Sequence, residues 1–162
     1  EVAPWMFQSM ISPLLIELAQ KFPNRLGYYS KATQKSYFNT QFLQAPWAGL
    51  GFDHHWNMSD ILLSRNSKAG IKCFEDKIFS GSVLEIEAPF NKFFIQGNFD
   101  QYLLHLQTDD FKKVLKQYIS SIKQLSPEQR TGWVSGLGHG VLPKTPESHV
   151  KYFVDTMREV FA

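Results

Sequence analysis

Between Gly132 and Val150 the chain reads GWVSGLGHGVLPKTPESHV. Trp133 and Val134 are β-formers, and Gly136, Gly138 and Gly140 follow at alternate positions around Leu137 and His139. That order predicts a buried strand running out into a turn where the backbone bends or approaches something closely. Pro143, Thr145 and Pro146 come next, ahead of an apolar-periodic run, so a helix should open near Thr145 with Pro146 in its first turn. Strand, glycine turn and helix make one βα unit. It sets His139 at the carboxyl end of its strand, where α/β folds carry their sites.

Upstream the same rhythm recurs. A short helical piece begins at Pro4, and Met10–Phe22 is a helix with Ser12 as N-cap, Pro13 as first helical residue, and Leu14, Leu15, Leu18, Ala19 and Phe22 on one face. Leu26–Ser30 reads as a strand, and Thr33–Leu43 as a helix turning Tyr37, Phe38 and Phe42 inward. Trp47–Asp53 is a second strand, and Ser59–Leu63 begins another helix. Residues 68–89 break the pattern, with two short runs about Gly81 that suit a hairpin. Lys92–Gln96 is a third strand, closed by Gly97-Asn98-Phe99-Asp100. Thr108–Leu125 carries Phe111, Val114, Leu115, Tyr118, Ile119 and Ile122 at helical spacing behind an acidic first turn. Thr131–Leu137 is the fourth strand and Glu147–Phe161 the last helix. Such alternation argues for parallel strands joined by right-handed crossovers, with the helices outside.

A chain of 162 residues is one ordinary domain's worth and can bury a core. Seventeen basic residues against fifteen acidic ones leave a net charge of +2, which gives no reason to expect a nucleic-acid partner. Cys73 is the single cysteine, so there is no intramolecular disulfide framework and no thiolate metal cluster. No apolar run reaches the ~20 residues needed to span a bilayer. The expectation is a cytoplasmic protein without a membrane partner.

Several short motifs, in order, carry a resemblance. Gly-Leu-Gly-His-Gly-Val-Leu-Pro at 136–143 is similar to the Asn-Leu-Gly-His-Gly…Pro signature of the uroporphyrinogen decarboxylase family, with Gly136 in place of Asn. Ala3-Pro4-Trp5-Met6 resembles that family's Leu-Pro-Tyr-Met, and Tyr28-Tyr29-Ser30-Lys31 its Phe-Ala-Lys. Gly51-Phe52-Asp53 resembles Gly-Leu-Asp with His54 where Trp usually follows, and Gln96–Asp100 resembles Gln-Gly-Asn-Leu-Asp with Gln101 where Pro usually follows. The resemblance implies an α/β fold, the C-terminal half of a (β/α)8 TIM barrel. About four parallel strands with outer helices make one half-barrel domain over 1–162, with an irregular insertion at about 64–92. A whole barrel takes ~250 residues. The family's Arg-Gln-Ala-Gly-Arg segment, its essential Asp, its mid-chain Tyr and its Phe-x-Ser motif are expected ahead of Glu1.

The resemblance also implies an activity, decarboxylation of the acetate side chains of uroporphyrinogen with no metal and no organic cofactor. The porphyrinogen substrate and either the missing N-terminal half-barrel or a homodimer partner are the expected partners. Carried over residue by residue, it gives His139 as the catalytic group, a polar contact to a substrate carboxylate or a proton relay, and Gly138 and Gly140 as substrate-binding backbone. Taken without the resemblance, His139 reads better as a strand-end cap on a carbonyl; with it, the order reverses. Asp53-His54-His55 does not read as a metal site, because neighbours on an extended strand point to opposite faces and no third ligand is spaced for it. Asn98 and Asp100 read as turn and helix-start residues, His149 as a surface residue, and Cys73 as no nucleophile. Two other classes compete: a diverged, non-catalytic half-barrel serving as a scaffold, and, more weakly, a cobamide-linked methyltransferase of the same superfamily, which would want zinc held by His and Cys.

A four-strand half-barrel has two open edges and a wet inner face. Analytical ultracentrifugation should therefore find this chain self-associated, aggregated or bound to its complementary half; a stable monomer that melts cooperatively would contradict the expectation.

Overall fold

The computed structural model describes residues 2–66 and 93–161, and the expected hairpin near Gly81, most of the 64–92 insertion and Cys73 fall outside them. The elements run α1 (Pro4–Met6), a π-helical turn (Phe7–Ile11), α2 (Ser12–Lys21), β1 (Gly27–Tyr29), a 3-10 turn (Lys35–Tyr37), α3 (Thr40–Gln44), β2 (Gly49–Gly51) and α4 (Met58–Asn66). After the undescribed residues come β3 (Phe94–Gln96), a 3-10 helix (Gln101–His105), α5 (Thr108–Lys123), α6 (Pro127–Arg130), β4 (Trp133–Val134) and α7 (Glu147–Phe161). The strands form one sheet in the order β1-β2-β3-β4, and every pair is parallel. The four strands with helices between them are the half-barrel that the sequence led us to expect.

Register decides which side chains face where. Tyr28, Leu50, Ile95 and Trp133 lie in one row across the sheet. Leu50 and Ile95 are buried by the helices, so this is the outer face. The packing there is aromatic. Phe42 lies within 5.2 Å of the ring centroids of Tyr28, Phe38 and Trp47, and the Trp47 indole N–H donates to the Phe42 carbonyl at 2.6 Å. A second apolar cluster, Phe99, Leu104, Phe111, Leu115, Ile119, Phe153 and Met157, joins α5, α7 and the 3-10 helix. Tyr118, Trp133 and Phe161 pack against both clusters.

The opposite row is Tyr29, Gly51, Gln96 and Val134, with Gly27, Gly49 and Phe94 one layer below. Tyr29, Phe94 and Val134 are 47%, 39% and 46% exposed, so this inner face lacks cover among the described residues. Its large side chains lean over its glycines. A Cβ at Gly49 would lie 2.3 Å from the Phe94 ring, and one at Gly51 would lie 3.0 Å from the Tyr29 ring.

The first helix departs from its sequence reading. The π-helical turn adds a residue to one turn and carries the helix from Pro4 through Ser12 without a break, so Ser12 is helical and buried, not an N-cap. The added residue rotates the face: Ser12 and Ala19 are buried with Leu15 and Ile16 beside them, while Met10, Leu14, Leu18 and Phe22 stand exposed in a row. The single helix expected over Thr33–Leu43 is divided. Asn39 accepts from the Phe42 amide and caps α3 afresh, although Phe38 and Phe42 are buried as expected. His149 corrects a further expectation. It is buried, stacked on Phe111 at 4.6 Å, with ring nitrogens on the Leu104 carbonyl and the Thr108 hydroxyl, because it lies on the face of α7 that packs against α5.

Substitutions at two sheet positions should read out the sidedness. Ile95→Ala, on the covered face, should cost about 2–5 kcal/mol, and Val134→Thr, on the open face, within about 0.5 kcal/mol. Urea denaturation at one fixed protein concentration checks both.

Candidate functional site at the carboxyl ends of the strands

The loops leaving the four strands are bound to one another chiefly by side chain to backbone hydrogen bonds. Asp53, fully buried after β2, accepts from the Ala32 amide in the loop after β1 and from the His55 amide at 3.0 Å. The second bond makes a turn of 53–55. His54 and His55 are therefore not on extended strand, and their rings lie 4.2 Å apart, contrary to the opposite faces expected of them. Among the described residues no three of His, Cys, Asp and Glu come together as a metal site.

Asn98, buried after β3, is more than a turn residue. Its amide nitrogen donates to the Asp53 carbonyl at 2.7 Å and to the Trp56 carbonyl, closing the loop after β2 onto the loop after β3. Its backbone N–H reaches the Tyr118 hydroxyl at 3.1 Å, and that hydroxyl donates in turn to the Gly97 carbonyl. Burial pushes Tyr118 up to about 12, so it keeps the proton it donates. The Trp133 indole donates to the same carbonyl at 2.9 Å. Gly97 has φ +129, and a Cβ there would lie 2.5 Å from the Phe52 carbonyl oxygen; only glycine fits. Asp100 caps the following 3-10 helix by accepting from the Tyr102 amide, as its position in sequence suggests.

The loop after β4 lies on top of these. The Phe99 amide donates to the Gly136 carbonyl, and the Gly138 amide donates to the Phe99 carbonyl at 2.7 Å, which carries parallel pairing beyond β3 and β4. Gly138 is buried with its backbone against the loop after β2: a Cβ would come within 2.5 Å of the His54 nitrogen. Its carbonyl accepts from the Tyr29 hydroxyl at 2.7 Å, a bond from the first strand to the loop after the last. Burial, and then the Asp53 carboxylate, raise Tyr29 above the ordinary phenol range, so it remains a donor. His139 is exposed immediately beyond, and at Gly140 a Cβ would meet nothing within 4 Å. Gly138 thus makes its close approach to this chain's own backbone.

Two cavities flank the loops. One of about 200 Å3 lies behind Asn98 and Tyr118 and is lined by His54, Trp56 and Asp100 as well. The other, about 390 Å3, opens between Phe7, Ile11 and Leu15 on the first helix and Tyr28, Ser30 and Thr33 on and after β1. His139 lines neither. Sequence reasoning looked to the loop of His139 and its glycines and missed Tyr29, Asp53, Asn98, Tyr118 and Trp133 as the groups that hold that rim together. The one available signal was the cluster of polar residues following each short strand.

Asn98→Ala should lower stability by about 1–3 kcal/mol, since it leaves two buried carbonyls with one donor fewer and opens the join between the loops. A thermal melt of the variant against the parent measures it.

Residues 1–160 match the family described as Uroporphyrinogen decarboxylase (URO-D). A uroporphyrinogen decarboxylase of Synechococcus sp. (strain JA-2-3B'a(2-13)) is 34% identical over 103 residues, 64% of this chain and 28% of that relative. Those of Rickettsia bellii (strain RML369-C) and Chlamydia trachomatis serovar D (strain ATCC VR-885 / DSM 19411 / UW-3/Cx) are each 38% identical, over 69 and 66 residues. These are 43% and 41% of this chain, and 18% of either relative. The aligned part is thus less than a third of each of these relatives' own length. Parallel half-barrel, glycine-histidine loop and a match along nearly the whole chain agree, and the chain belongs to the uroporphyrinogen decarboxylase family.

Proposed function

We propose that this chain is the carboxyl-terminal half of a uroporphyrinogen decarboxylase, a carboxy-lyase converting uroporphyrinogen III to coproporphyrinogen III in the heme pathway. The observation that carries the reading is the loop 136–140, which brings an exposed imidazole to the carboxyl ends of a parallel sheet whose inner face lacks cover among the described residues. In the chemistry, protonation of a pyrrole carbon makes the ring an electron sink, the acetate carboxyl leaves as CO2, and a second proton completes the methyl group as the first is lost from the ring carbon. His139 would hold a substrate carboxylate or relay a proton, with the backbone of Gly138 and Gly140 beside it. The remaining groups would come from the amino-terminal half-barrel, in a cytoplasmic homodimer without metal or cofactor.

The open surfaces support a partner of that kind. β1 and β4 each lack a second neighbour among the described strands, and the exposed row Met10, Leu14, Leu18 and Phe22 lies on the helix that precedes β1. A further strand at each edge and a helix against that row would cover them. The competing reading, a scaffold that has lost catalysis, draws on Gly136, His54 and Gln101 where the family usually has Asn, Trp and Pro.

Assay of the chain completed by its amino-terminal half, on one polypeptide or two, tests the reading by formation of coproporphyrinogen. In that assembly His139→Asn should reduce turnover about 10- to 100-fold, the worth of a hydrogen bond to a charged group. Unchanged turnover would remove His139 from the mechanism, and no product from the unsubstituted assembly would favour the scaffold.

A further inference from the structure

We infer that Tyr29 is a positioning residue for His139, acting through the carbonyl of Gly138. This rests on the catalytic reading of His139 for its consequence, but its geometry stands independently. In the loop after β4, Gly138 is held from three directions: its amide on the Phe99 carbonyl, its α-carbon against the His54 backbone, and its carbonyl under the Tyr29 hydroxyl. The first two are backbone contacts from the loops after β3 and β2. The third is the only side-chain hydrogen bond described for the segment 137–140, and it comes from β1, the strand farthest away in the sheet. A bond between residues 109 apart in sequence spans the concave side of the half-barrel and fixes how far the loop leans over it.

Tyr29 is itself held. Its ring lies against Gly51 in the neighbouring strand, where a Cβ would be 3.0 Å from the ring and 3.2 Å from the Tyr29 Cβ. The ring therefore has a floor, and the hydroxyl a set height above it. The phenol keeps its proton, since burial and then the nearby Asp53 carboxylate oppose ionisation, so the bond persists across the neutral range. The residue after Gly138 carries the imidazole, and without the clamp the carbonyl of Gly138 turns freely and takes the Cα of His139 with it.

Tyr29→Phe removes the hydroxyl and leaves the ring on Gly51. In this chain, amide exchange at Gly138 should quicken about 3- to 10-fold, the range one neutral hydrogen bond allows. Leu115 and Ile119 in α5 should exchange as before, and the His139 ring resonances should shift or broaden. Gly51→Ala, which lifts the ring and keeps the hydroxyl, should reproduce the effect. In the completed enzyme Tyr29→Phe should lower kcat with KM held, since the substrate contact is misplaced and not removed. Unaltered exchange at Gly138 together with unaltered His139 resonances in Tyr29→Phe overturns the inference. If instead these change while His139→Asn leaves turnover intact, the clamp holds and the catalytic assignment of His139 is what fails.

Discussion

A parallel strand needs cover on both its faces, and among the described residues cover comes from one side. The row Tyr28, Leu50, Ile95 and Trp133 is packed by aromatic side chains and helices, and the row Tyr29, Gly51, Gln96 and Val134 faces outward from the chain's own core. That asymmetry explains much else in the molecule. It explains why the inner face is built of glycines with large neighbours leaning over them, an arrangement meant for a crowded interior. It also explains why short strands of two or three residues hold register: the outer row and the loop hydrogen bonds specify it, since a slip of one residue would turn Leu50 and Ile95 away from the helices.

The loops complete what the short strands begin. Asp53, Asn98, Tyr118 and Trp133 tie the ends of β2, β3 and β4 through backbone carbonyls and amides. Because most partners are backbone atoms, the rim is rigid whatever the surface side chains between them. His139 is thus carried by a stiff frame on one side and open space on the other, a disposition suited to meeting a ligand with little reordering.

Parallel topology and the long helices were legible in the sequence because their signals are periodic and local: α5 and α7 have the bounds their apolar spacing suggests to within two residues. The face of the first helix was not, since a π-helical turn leaves no mark in composition yet rotates every residue after it. His149 was misread because a buried histidine with both nitrogens satisfied looks in sequence like a polar residue on an amphipathic helix. At the rim, the loop with His139 could be found from its glycines. The Tyr29 bond could not, because no local pattern links residues 109 positions apart. The His54-His55 pair failed for a related reason: the reading supposed extended strand, and a single carboxylate bond from Asp53 made it a turn.

Gly49 and Phe94 show what the inner layer asks of its own ancestry. The space a methyl group would take on β2 is filled by a ring rooted on β3, so the layer is filled as a joint volume by two strands. In related chains a larger residue at the first place should accompany a smaller one at the second. A larger residue at the first place alone would collide with the ring, and a smaller one at the second alone would leave a void.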